Sequence, residues 1–459
     1  MRINDTIAAV STAMSEGGIG IVRVCGEAAF CIVDKIYKGK KKLAECESHT
    51  IQYGHILSGE SKEIIDEVLV MLMRAPRSYT GEDTVEINCH GGVLLLQRIL
   101  SEAIRAGASL AEPGEFTKRA FLNGKLDLSS AEAVIDIIEA KNAYALKSGM
   151  QQLKGGLKRE ISEIRALILE ETAYIEAALD DPEHYDLEGY KGELKEKVET
   201  ILFRISELIK TSESGRVIKE GIDTVIIGRP NVGKSSILNL LAKSERAIVS
   251  DIAGTTRDTI TEHIKMAGIS LNITDTAGIR ESDDIVESIG IKKARDAAKN
   301  ADLIICVIDA SEDLREEDLK ILDSFSDKKN CIILLNKTDK ENKIKKEEIG
   351  KFAAHPVIVF SVKEEQGLDE MENKIKEMFY KGSLDFNDQV YITNLRHKHA
   401  LEEARASLNM VLDSIENGLP EDFFSIDLID AYQTLGTIIG ESISDDLVNE
   451  IFSKFCMGK

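Results

Sequence analysis

The chain has 459 residues, of which 43% are apolar and 30% are charged, and this composition excludes a disordered or fibrous protein. Its formal net charge of −22 excludes a broad positive surface for a long stretch of nucleic acid, so any RNA contact must be local or shared with a partner. The length predicts about three domains of about 150 residues each.

The cysteines and the N-terminus bear on where the protein works. Seven cysteines without repeated CxxC spacing predict neither a disulfide framework nor a zinc site, which favours a reducing compartment. The N-terminus lacks a cationic and apolar leader, and no apolar run approaches the roughly 18 residues of a membrane span. We therefore expect a cytoplasmic protein that is neither exported nor inserted in a membrane.

Residues 1–120 are predicted to form an α+β domain. Short apolar runs at 20–24, 67–73 and 84–87 are typical of strands, and the Gly-led apolar segment 92–106 is typical of a helix. Strands and helices mixed in this way indicate an α+β module.

Helical spacing begins near residue 126 and characterises the second predicted segment, 121–215. Apolar residues recur three, four or seven positions apart through 157–179 and again through 194–209. The same spacing returns from about residue 394 in the last segment, 381–459. A packed bundle without chemistry is the favoured interpretation of these helices.

Strands and helices alternate in the third predicted segment, 216–380, which lies between the two helical segments. Such alternation predicts a mostly parallel sheet with helices on both faces. The buried-type strands are expected at 224–227, 271–274, 303–309, 331–335 and 357–360. We therefore expect a nucleotide domain inserted between two parts of one helical domain.

A phosphate-binding loop is predicted at Gly228–Ser235, which fits the pattern GxxxxGK(S/T) between a strand and a helix. Gly228 and Gly233 let backbone amides turn toward the β-phosphate, and Lys234 brings a positive charge to the β and γ oxygens. The Ser235 hydroxyl is expected to bind Mg²⁺.

Two further segments belong to the phosphate side of the site. Asp275-Thr276-Ala277-Gly278 ends a strong strand, where the carboxylate can reach Mg²⁺ through water and the Gly278 amide can meet the γ-phosphate. The stretch 254–258 supplies Thr256 as a second Mg²⁺ ligand in a loop that is ordered only while the γ-phosphate is present.

The base is predicted to be guanine. Asp339 of Asn336-Lys337-Thr338-Asp339 can accept from the ring N–H and from the amino group of guanine, and adenine does not offer that pair of donors. Ser361-Val362-Lys363 after the last strand fits the remaining guanine loop, with Val where Ala is commoner. Five motifs in this order predict a Ras-like GTPase domain.

Two positions depart from a Ras-like site. Ile279 follows the Asp275–Gly278 motif where Ras-like enzymes place a glutamine that orients water, so another residue must do that work. Asn231 in the phosphate-binding loop can direct a side-chain oxygen toward the phosphates, and a turn-forming role is the alternative.

The segments that flank the nucleotide domain resemble the MnmE family of tRNA modification GTPases over essentially the whole chain. The motifs that carry this resemblance are Gly81-Glu82-Asp83, His90-Gly91-Gly92, 113–117, 119–128 and Phe455-Cys456-Met457-Gly458-Lys459. Met457 is a mild variation on the family's usual ending.

The resemblance implies a fold and a cofactor for the N-terminal domain. That domain would be similar to the tetrahydrofolate-binding fold of aminomethyltransferases, would mediate dimerisation, and would bind 5-formyl- or methylene-tetrahydrofolate. The implied folate contacts are Arg23, Glu86, Lys125 and Lys459. Without the family, surface ion pairs would be the preferred interpretation.

The resemblance also implies how hydrolysis proceeds. K⁺ would bind through Asn231, Ser250, Ile252 and Thr255 as two GTPase domains meet, in the place of an arginine finger. Glu287 would orient the attacking water, and Lys234 and Asp275 would be the other catalytic residues. The alternative for Glu287 is a solvated acidic residue at the start of a helix. The full set of implied GTP-binding residues is Asn231, Val232, Gly233, Lys234, Ser235, Ser236, Ser250, Asp251, Ile252, Ala253, Gly254, Thr255, Thr256, Asp275, Thr276, Ala277, Gly278, Asn336, Lys337, Asp339, Ser361, Val362 and Lys363.

Cys456 and the basic residues at 396–399 each have two interpretations. Cys456 is implied by the family to take part in modification chemistry, with a structural role as the alternative, and the ending fits a prenylation signal poorly. The basic residues at 396–399 can touch RNA, but a solvated helix face is preferred.

The expected protein is a homodimeric GTPase that acts on the wobble uridine of certain tRNAs. With an MnmG-type partner in a heterotetramer, it would add an aminomethyl or carboxymethylaminomethyl group, and the partner alone would hold FAD. The alternatives are an Era-type ribosome-assembly GTPase, which normally carries a basic RNA-binding domain, and a folate-dependent aminomethyl transferase with a regulatory GTPase domain.

Overall fold

The structure of the chain is a computed structural model. It describes residues 5–181, 184, 189–243, 261–266, 268–274, 301–326, 328–350, 355–380, 390–441, 443–456 and 458. The chain divides into two compact units. The first unit comprises 1–138, 152–202 and 403–459, and the second comprises 139–151 and 203–402.

A seven-stranded sheet organises the N-terminal part of the first unit. Its strands are β1 (Ile7–Val10), β2 (Gly17–Cys25), β3 (Tyr37–Gly39), β4 (Thr50–Leu57), β5 (Ile64–Met73), β6 (Thr84–Gly91) and β7 (Ser109–Leu110). Their order is β3-β4-β5-β6-β2-β1-β7, and every pair is antiparallel except the parallel pair of β1 and β7.

One face of this sheet is covered by helices α1 (Ala29–Ile36) and α2 (Val93–Arg105). Alternate residues of β5 and β6 point to the core, because successive side chains of a strand lie on opposite faces. Val70 and Ile87 are buried there with Leu96 of α2. The predicted α+β domain is confirmed, and the predicted strands at 20–24, 67–73 and 84–87 lie within β2, β5 and β6.

The helices of the remaining chain begin and end as follows. They are α3 (Glu115–Leu122), α4 (Leu128–Ile138), α5 (Ala143–Leu153), α6 (Gly156–Asp180), α7 (Tyr190–Glu220), α8 (Lys234–Lys243), α9 (Glu316–Asp323), α10 (Lys346–Ile349), α11 (Leu368–Tyr380), α12 (Leu395–Glu416), α13 (Glu421–Ile439) and α14 (Asp445–Ser453). None of the helices described is long and apolar enough to cross a membrane.

Helices α6 and α13 pack against each other in the first unit although they are far apart in sequence. Buried Arg165 of α6 donates to a carboxylate oxygen of Glu441 at 2.6 Å and stacks 4.0 Å from the ring centroid of Tyr432. The central and C-terminal helical segments therefore form one helical domain, as predicted.

The second unit contains a six-stranded sheet. Its strands are β8 (Ile222–Ile227), β9 (Thr261–Met266), β10 (Ile269–Thr274), β11 (Leu303–Asp309), β12 (Cys331–Asn336) and β13 (Val357–Val359), in the order β13-β12-β11-β8-β10-β9. All pairs are parallel except β9 with β10.

Both faces of this sheet are buried. Ile305 of β11 lies in a core with residues of α8 and α11, while its neighbours Ile304 and Cys306 lie in a core with residues of α9 and α10. A parallel sheet covered on both sides explains the continuous apolar strands. The predicted P-loop GTPase fold is confirmed, whereas the four-segment division at 120, 215 and 380 stays a prediction.

Candidate functional site

The loop between β8 and α8 has a backbone that requires glycine at two positions. Gly228 has φ +151° and Gly233 has φ +106°. A Cβ on Gly228 would lie 2.4 Å from the carbonyl oxygen of Val307, and a Cβ on Gly233 would lie 2.3 Å from Nδ2 of Asn336. The loop therefore passes too close to its neighbours for side chains at these positions.

Lys234 is the first residue of α8 and folds back over the loop that precedes it. Its Nζ donates to the carbonyl oxygens of Gly228 and Arg229, at 2.8 Å in each case. Ser235 and Ser236 follow in the first helical turn with exposed side chains. A cation, exposed hydroxyls and a helix N-terminus together suit the binding of a polyphosphate.

Asn336 at the end of β12 holds the phosphate-binding loop from the side. Its Nδ2 donates to the carbonyl oxygen of Val232 at 2.8 Å. Its Oδ1 is buried and has no hydrogen-bond partner among the described residues. Asn336 is therefore fixed by one amide group and keeps an acceptor for another donor.

Lys337 connects the guanine loop to the phosphate-binding loop. It has φ +65°, and its Nζ donates to the carbonyl oxygen of Asn231 at 2.7 Å and to Oδ2 of Asp309 at 2.6 Å. Burial raises the pKa of the Asp309 carboxyl, but hydrogen bonds from Lys337 and Ser311 outweigh it, so the pKa lies below its ordinary value.

Asp309 was not among the residues predicted from the sequence. It is the last residue of β11 and is 2% exposed. An acidic residue that ends a buried apolar strand is a usable signal, because the carboxyl ends of parallel strands are where α/β proteins bind ligands.

Asp339 lies beside the loop that follows β13. Its Oδ1 accepts from the hydroxyl of Ser361 at 3.1 Å, and the same hydroxyl accepts from the amide of Glu364 at 3.2 Å. Val362 and Lys363 follow Ser361 in this loop. The structure therefore brings the two predicted parts of the guanine site together.

Arg229 is a second residue that sequence reasoning missed. It is buried, and its guanidinium donates to Asp318 at 2.7 Å and to Glu312 at 3.3 Å. Both carboxylates come after β11, the strand that Asp309 ends. Acidic residues at the end of β11 and after it thus fix the phosphate-binding loop at two points. Asp318 and Glu312 bind Arg229 directly. Asp309 acts on Asn231 through Lys337.

Several predicted residues lie outside the described residues. They are Ser250, Asp251, Ile252, Ala253, Gly254, Thr255, Thr256, Asp275, Thr276, Ala277, Gly278, Glu287 and Lys459. Of the predicted metal ligands, the structure therefore places Ser235 and Asn231, the latter with an exposed side chain and φ +64°.

The first unit contains a second charged site on the sheet face opposite α1 and α2. Arg23 of β2 and Glu86 of β6 are cross-strand partners, with 2.8 Å between the guanidinium and the carboxylate. The guanidinium lies 5.3 Å from the ring centroid of Phe116 and 6.0 Å from that of Tyr79. Aromatic rings beside an ion pair offer both stacking and charge to a ligand.

The C-terminal tail reaches this second site. The carbonyl oxygen of Gly458 accepts from Arg23 at 3.3 Å and from the hydroxyl of Ser11 at 3.1 Å. Lys125 instead donates to the carbonyl oxygen of Pro76 at 3.2 Å, in the loop after β5. Arg23 thus contacts both Glu86 and the tail, whereas the hydrogen bond of Lys125 is to the loop after β5.

The cysteines near this site differ in exposure. Cys25 is buried, and burial raises the pKa of its thiol to about 11. Cys456 is exposed, and its carbonyl oxygen accepts from the amide of Gly114 at 3.4 Å.

The basic residues at 396–399 do not form a free cationic patch. His397 is 0% exposed and its Nε2 lies 2.9 Å from the guanidinium of Arg396. Lys398 lies 3.9 Å from a carboxylate oxygen of Glu402. These contacts agree with the preferred interpretation of a helix face rather than an RNA site.

Comparison with known proteins gives a consistent result over the whole length. Residues 6–125 match the family model described as "GTP-binding protein TrmE N-terminus", and residues 128–456 match "MnmE helical domain". A tRNA modification GTPase MnmE of Lachnoclostridium phytofermentans is 56% identical over 99% of both chains. Proteins of the same name from Acetivibrio thermocellus, 48% identical over 100% of both chains, and Bacillus subtilis, 47% identical over 99% of this chain and 100% of that one, are similar.

Proposed function

Because this chain belongs to the MnmE family of tRNA modification GTPases, we propose that its GTP hydrolysis serves the modification of the wobble uridine of certain tRNAs. The chain is a GTPase. The full-length match does not favour the Era-type alternative.

The connection between the phosphate-binding loop and the guanine loop supports the nucleotide part of this proposal, and the full-length match supports the tRNA part. Asn336 donates to Val232, and Lys337 donates to Asn231. The loop proposed to bind the guanine base is therefore hydrogen-bonded to the loop proposed to bind the phosphates. A direct test compares the affinities for GTP and ATP, and binding of ATP as tight as that of GTP would contradict the proposal.

The residues of the site have distinct roles in the proposed reaction. Lys234 and the amides of the loop stabilise negative charge on the β and γ phosphates, and Asp339 binds the guanine edge. The exposed hydroxyl of Ser235 in the first turn of α8 fits a Mg²⁺ ligand, with Thr256 as the second proposed ligand and Asp275 acting through water. Bound Mg²⁺ supplies further neutralisation of phosphate charge.

Glu287 is the residue that we propose to orient the attacking water, since Ile279 cannot do so. Replacement of Glu287 by Ala should slow hydrolysis about 10²-fold or more while GTP affinity changes little. Asp284→Ala, in the same acidic stretch, is the matched control. Hydrolysis by Glu287→Ala at the parent rate would remove this residue from the mechanism.

We propose that K⁺ binds at Asn231 with Ser250, Ile252 and Thr255 as further ligands. Asn231 is exposed in the loop that ends at Lys234, and this supports the assignment, because a cation bound at this loop would lie next to the phosphates. Replacement of K⁺ by Na⁺ should lower the hydrolysis rate and abolish association of GTPase domains. An unchanged rate would contradict the cation site.

The second charged site is proposed to bind 5-formyl- or methylene-tetrahydrofolate. Arg23 and Glu86 are the described contacts that support it, with Lys125 and Lys459 as further ligands and Cys456 as a candidate for the chemistry. Arg23→Gln should abolish folate binding, whereas Arg105→Gln, which changes an exposed guanidinium paired with Glu102, should not. Equal affinity in both variants would contradict the assignment.

The proposed assembly is a cytoplasmic homodimer that forms a heterotetramer with an FAD-containing MnmG-type partner. All seven cysteines are unpaired, which supports a reducing compartment. Mass analysis of tRNA nucleosides from cells without this chain should reveal the loss of aminomethyl or carboxymethylaminomethyl groups at wobble uridine. Unaltered nucleosides together with ribosomal RNA precursors would contradict the proposal.

A further inference from the structure

Four lysines concentrate positive charge in one short segment of this acidic protein. Lys38, Lys40, Lys41 and Lys42, the lysine loop, are all exposed at the end of β3 and in the turn that follows it. Within the part of the chain that the structure describes, none of the four has an acidic partner within ion-pair distance. The chain as a whole carries −22, so this is a local exception.

The backbone of the lysine loop is held in place at its end. The carboxylate of Asp34 accepts from the amides of Leu43 at 2.7 Å and Ala44 at 3.1 Å. Leu43 is 0% exposed and belongs to the core. Arg74 donates to the carbonyl oxygen of Ala44 at 2.7 Å. The lysines therefore extend from an ordered turn, which reduces the entropy lost when they bind a partner.

The lysine loop lies at the same end of the sheet as the residues proposed to bind folate. Strand β3 runs parallel to β5, because Gly39 pairs with Gly54 and Gly54 pairs with Val68. Three residues further along β5, Met71 pairs with Glu86. Three strand spacings of about 4.8 Å place β3 and β6 about 14 Å apart across the sheet, and the three-residue offset adds about 10 Å along the strands.

The charge pattern fits a polyanion better than a single anion. Four like charges within five residues repel one another in the free protein, and a chain of phosphates relieves that repulsion while it releases counterions. Glu45 and Glu47 follow the loop and are exposed, which limits the positive surface to a short stretch. The surface suits a few consecutive phosphates, in agreement with a local RNA contact.

We propose that the lysine loop binds the phosphate backbone of tRNA and so brings the wobble nucleotide toward the one-carbon site of the first unit. This inference rests on the proposed function. It assigns the RNA contact to the first unit and to a segment different from the basic residues at 396–399.

The test measures binding of a labelled anticodon stem-loop RNA to the full chain, without nucleotide, from about 50 to 200 mM NaCl. Each phosphate contact contributes about 0.7 to 0.9 to the slope of log K against log salt. If each of the four lysines contacts one phosphate, their replacement by Gln should reduce the slope by about 3 and lower the affinity at low salt at least tenfold. GTP hydrolysis without RNA should be unchanged.

A matched control replaces Lys154, Lys158 and Arg159 by Gln. These side chains are also exposed and make no ion pair among the described residues, but they lie before and at the start of α6. The control should leave the slope within about 1 of the parent value. If the four-lysine variant does not fold, Lys41→Glu alone should still reduce both slope and affinity.

Four results would overturn the proposal in distinguishable ways. If the parent chain alone shows no salt-dependent RNA binding, the lysine loop is excluded as an RNA site, whereas the proposed function is tested separately by the nucleosides of cells without this chain. If the parent binds RNA but the four-lysine variant has the same slope, the lysine loop alone is excluded. Because lysines also protect edge strands such as β3, self-association of the variant with unchanged RNA binding would assign them that role instead.

Polyglutamylated folate is a second polyanion that could use the same charges. If the four-lysine variant loses affinity for tetrahydrofolate with a polyglutamate tail but keeps its affinity for the RNA, the proposal is likewise overturned.

Discussion

The ammonium group of Lys337 lies 2.6 Å from the buried carboxylate of Asp309, which ends the neighbouring strand β11. The same ammonium donates to the carbonyl oxygen of Asn231. Asp309 therefore acts on the phosphate-binding loop through Lys337, as a positioning residue.

Asp309→Asn should destabilise the protein by about 1.5 to 3 kcal/mol, since it removes a hydrogen bond between charged groups. GTP affinity should fall about tenfold because Lys337 loses the partner that orients it. Urea unfolding and calorimetric titration measure the two effects. Asp323→Asn, an exposed aspartate at the end of α9, is the control and should change neither quantity.

The effect of Asp309 should depend on pH in a defined direction. Its carboxyl pKa is lowered in the folded protein, so the stabilisation is complete above the ordinary value of about 4 and is lost as pH falls through the lower, folded value. The stability difference between parent and Asp309→Asn should be constant from about pH 8 to 5 and shrink below about pH 4. A difference that grows on acidification would contradict the ion pair.

Gly233→Ala should weaken GTP binding severely. The new Cβ would lie 2.3 Å from Asn336 Nδ2 on a residue with φ +106°, so the loop or the Asn336 amide must move. Strain of about 1 to 3 kcal/mol corresponds to roughly 5- to 150-fold in affinity. Gly418→Ala has φ +66° but open space around the Cβ, and it should lower stability without changing affinity.

The seven thiols should separate into two classes when a disulfide reagent is added at about pH 8. Burial raises the pKa of Cys25 and Cys89 to about 11 and that of Cys331 to about 12, and it also raises that of Cys306. A buried neutral thiol is a poor nucleophile. The two exposed cysteines, Cys31 and Cys456, should react first, and the others only on unfolding.

The number of thiols that react rapidly in the native protein provides a control. Cys456→Ser should reduce it from two to one. Rapid reaction of more than two thiols in the native parent would contradict the burial described.

Gly458→Ala should disturb the folate site and leave the GTPase unchanged. The residue has φ +88°, and a Cβ would lie 2.2 Å from the carbonyl oxygen of Val10, so the tail must move away from Arg23. We expect tetrahydrofolate affinity to fall by about fivefold or more, as for about 1 kcal/mol. Gly155→Ala, whose Cβ meets open space, is the control, and equal folate affinity in both variants would contradict the role of the tail.

The local parts of the nucleotide site could be predicted from the sequence. Gly228, Gly233 and Lys234 are constrained by the backbone path and the charge of a triphosphate, so their order is visible in one short segment. Asn336 and Asp339 were likewise predicted from a short motif after a strand. The contacts that fix these loops to each other were not predicted.

Asp309 and Asp318 show why the rest was missed. Each contacts a residue that is distant in sequence, Lys337 in the first case and Arg229 in the second. Such pairs depend on the order of strands in the sheet, which spacing alone does not determine. The short edge strand β3 and the half-exposed β4 were missed for a related reason, because their apolar pattern is weak without a known partner.

The three-part composition of the first unit has a consequence for synthesis on the ribosome. Its last segment, 403–459, contains α13, which packs on α6, and the tail whose Gly458 contacts Ser11 and Arg23. The second unit ends at residue 402 and can complete its contacts while this last segment is still being made. The nascent chain thus completes the second unit before the first, and α6 keeps an uncovered apolar face until the segment 403–459 has been made.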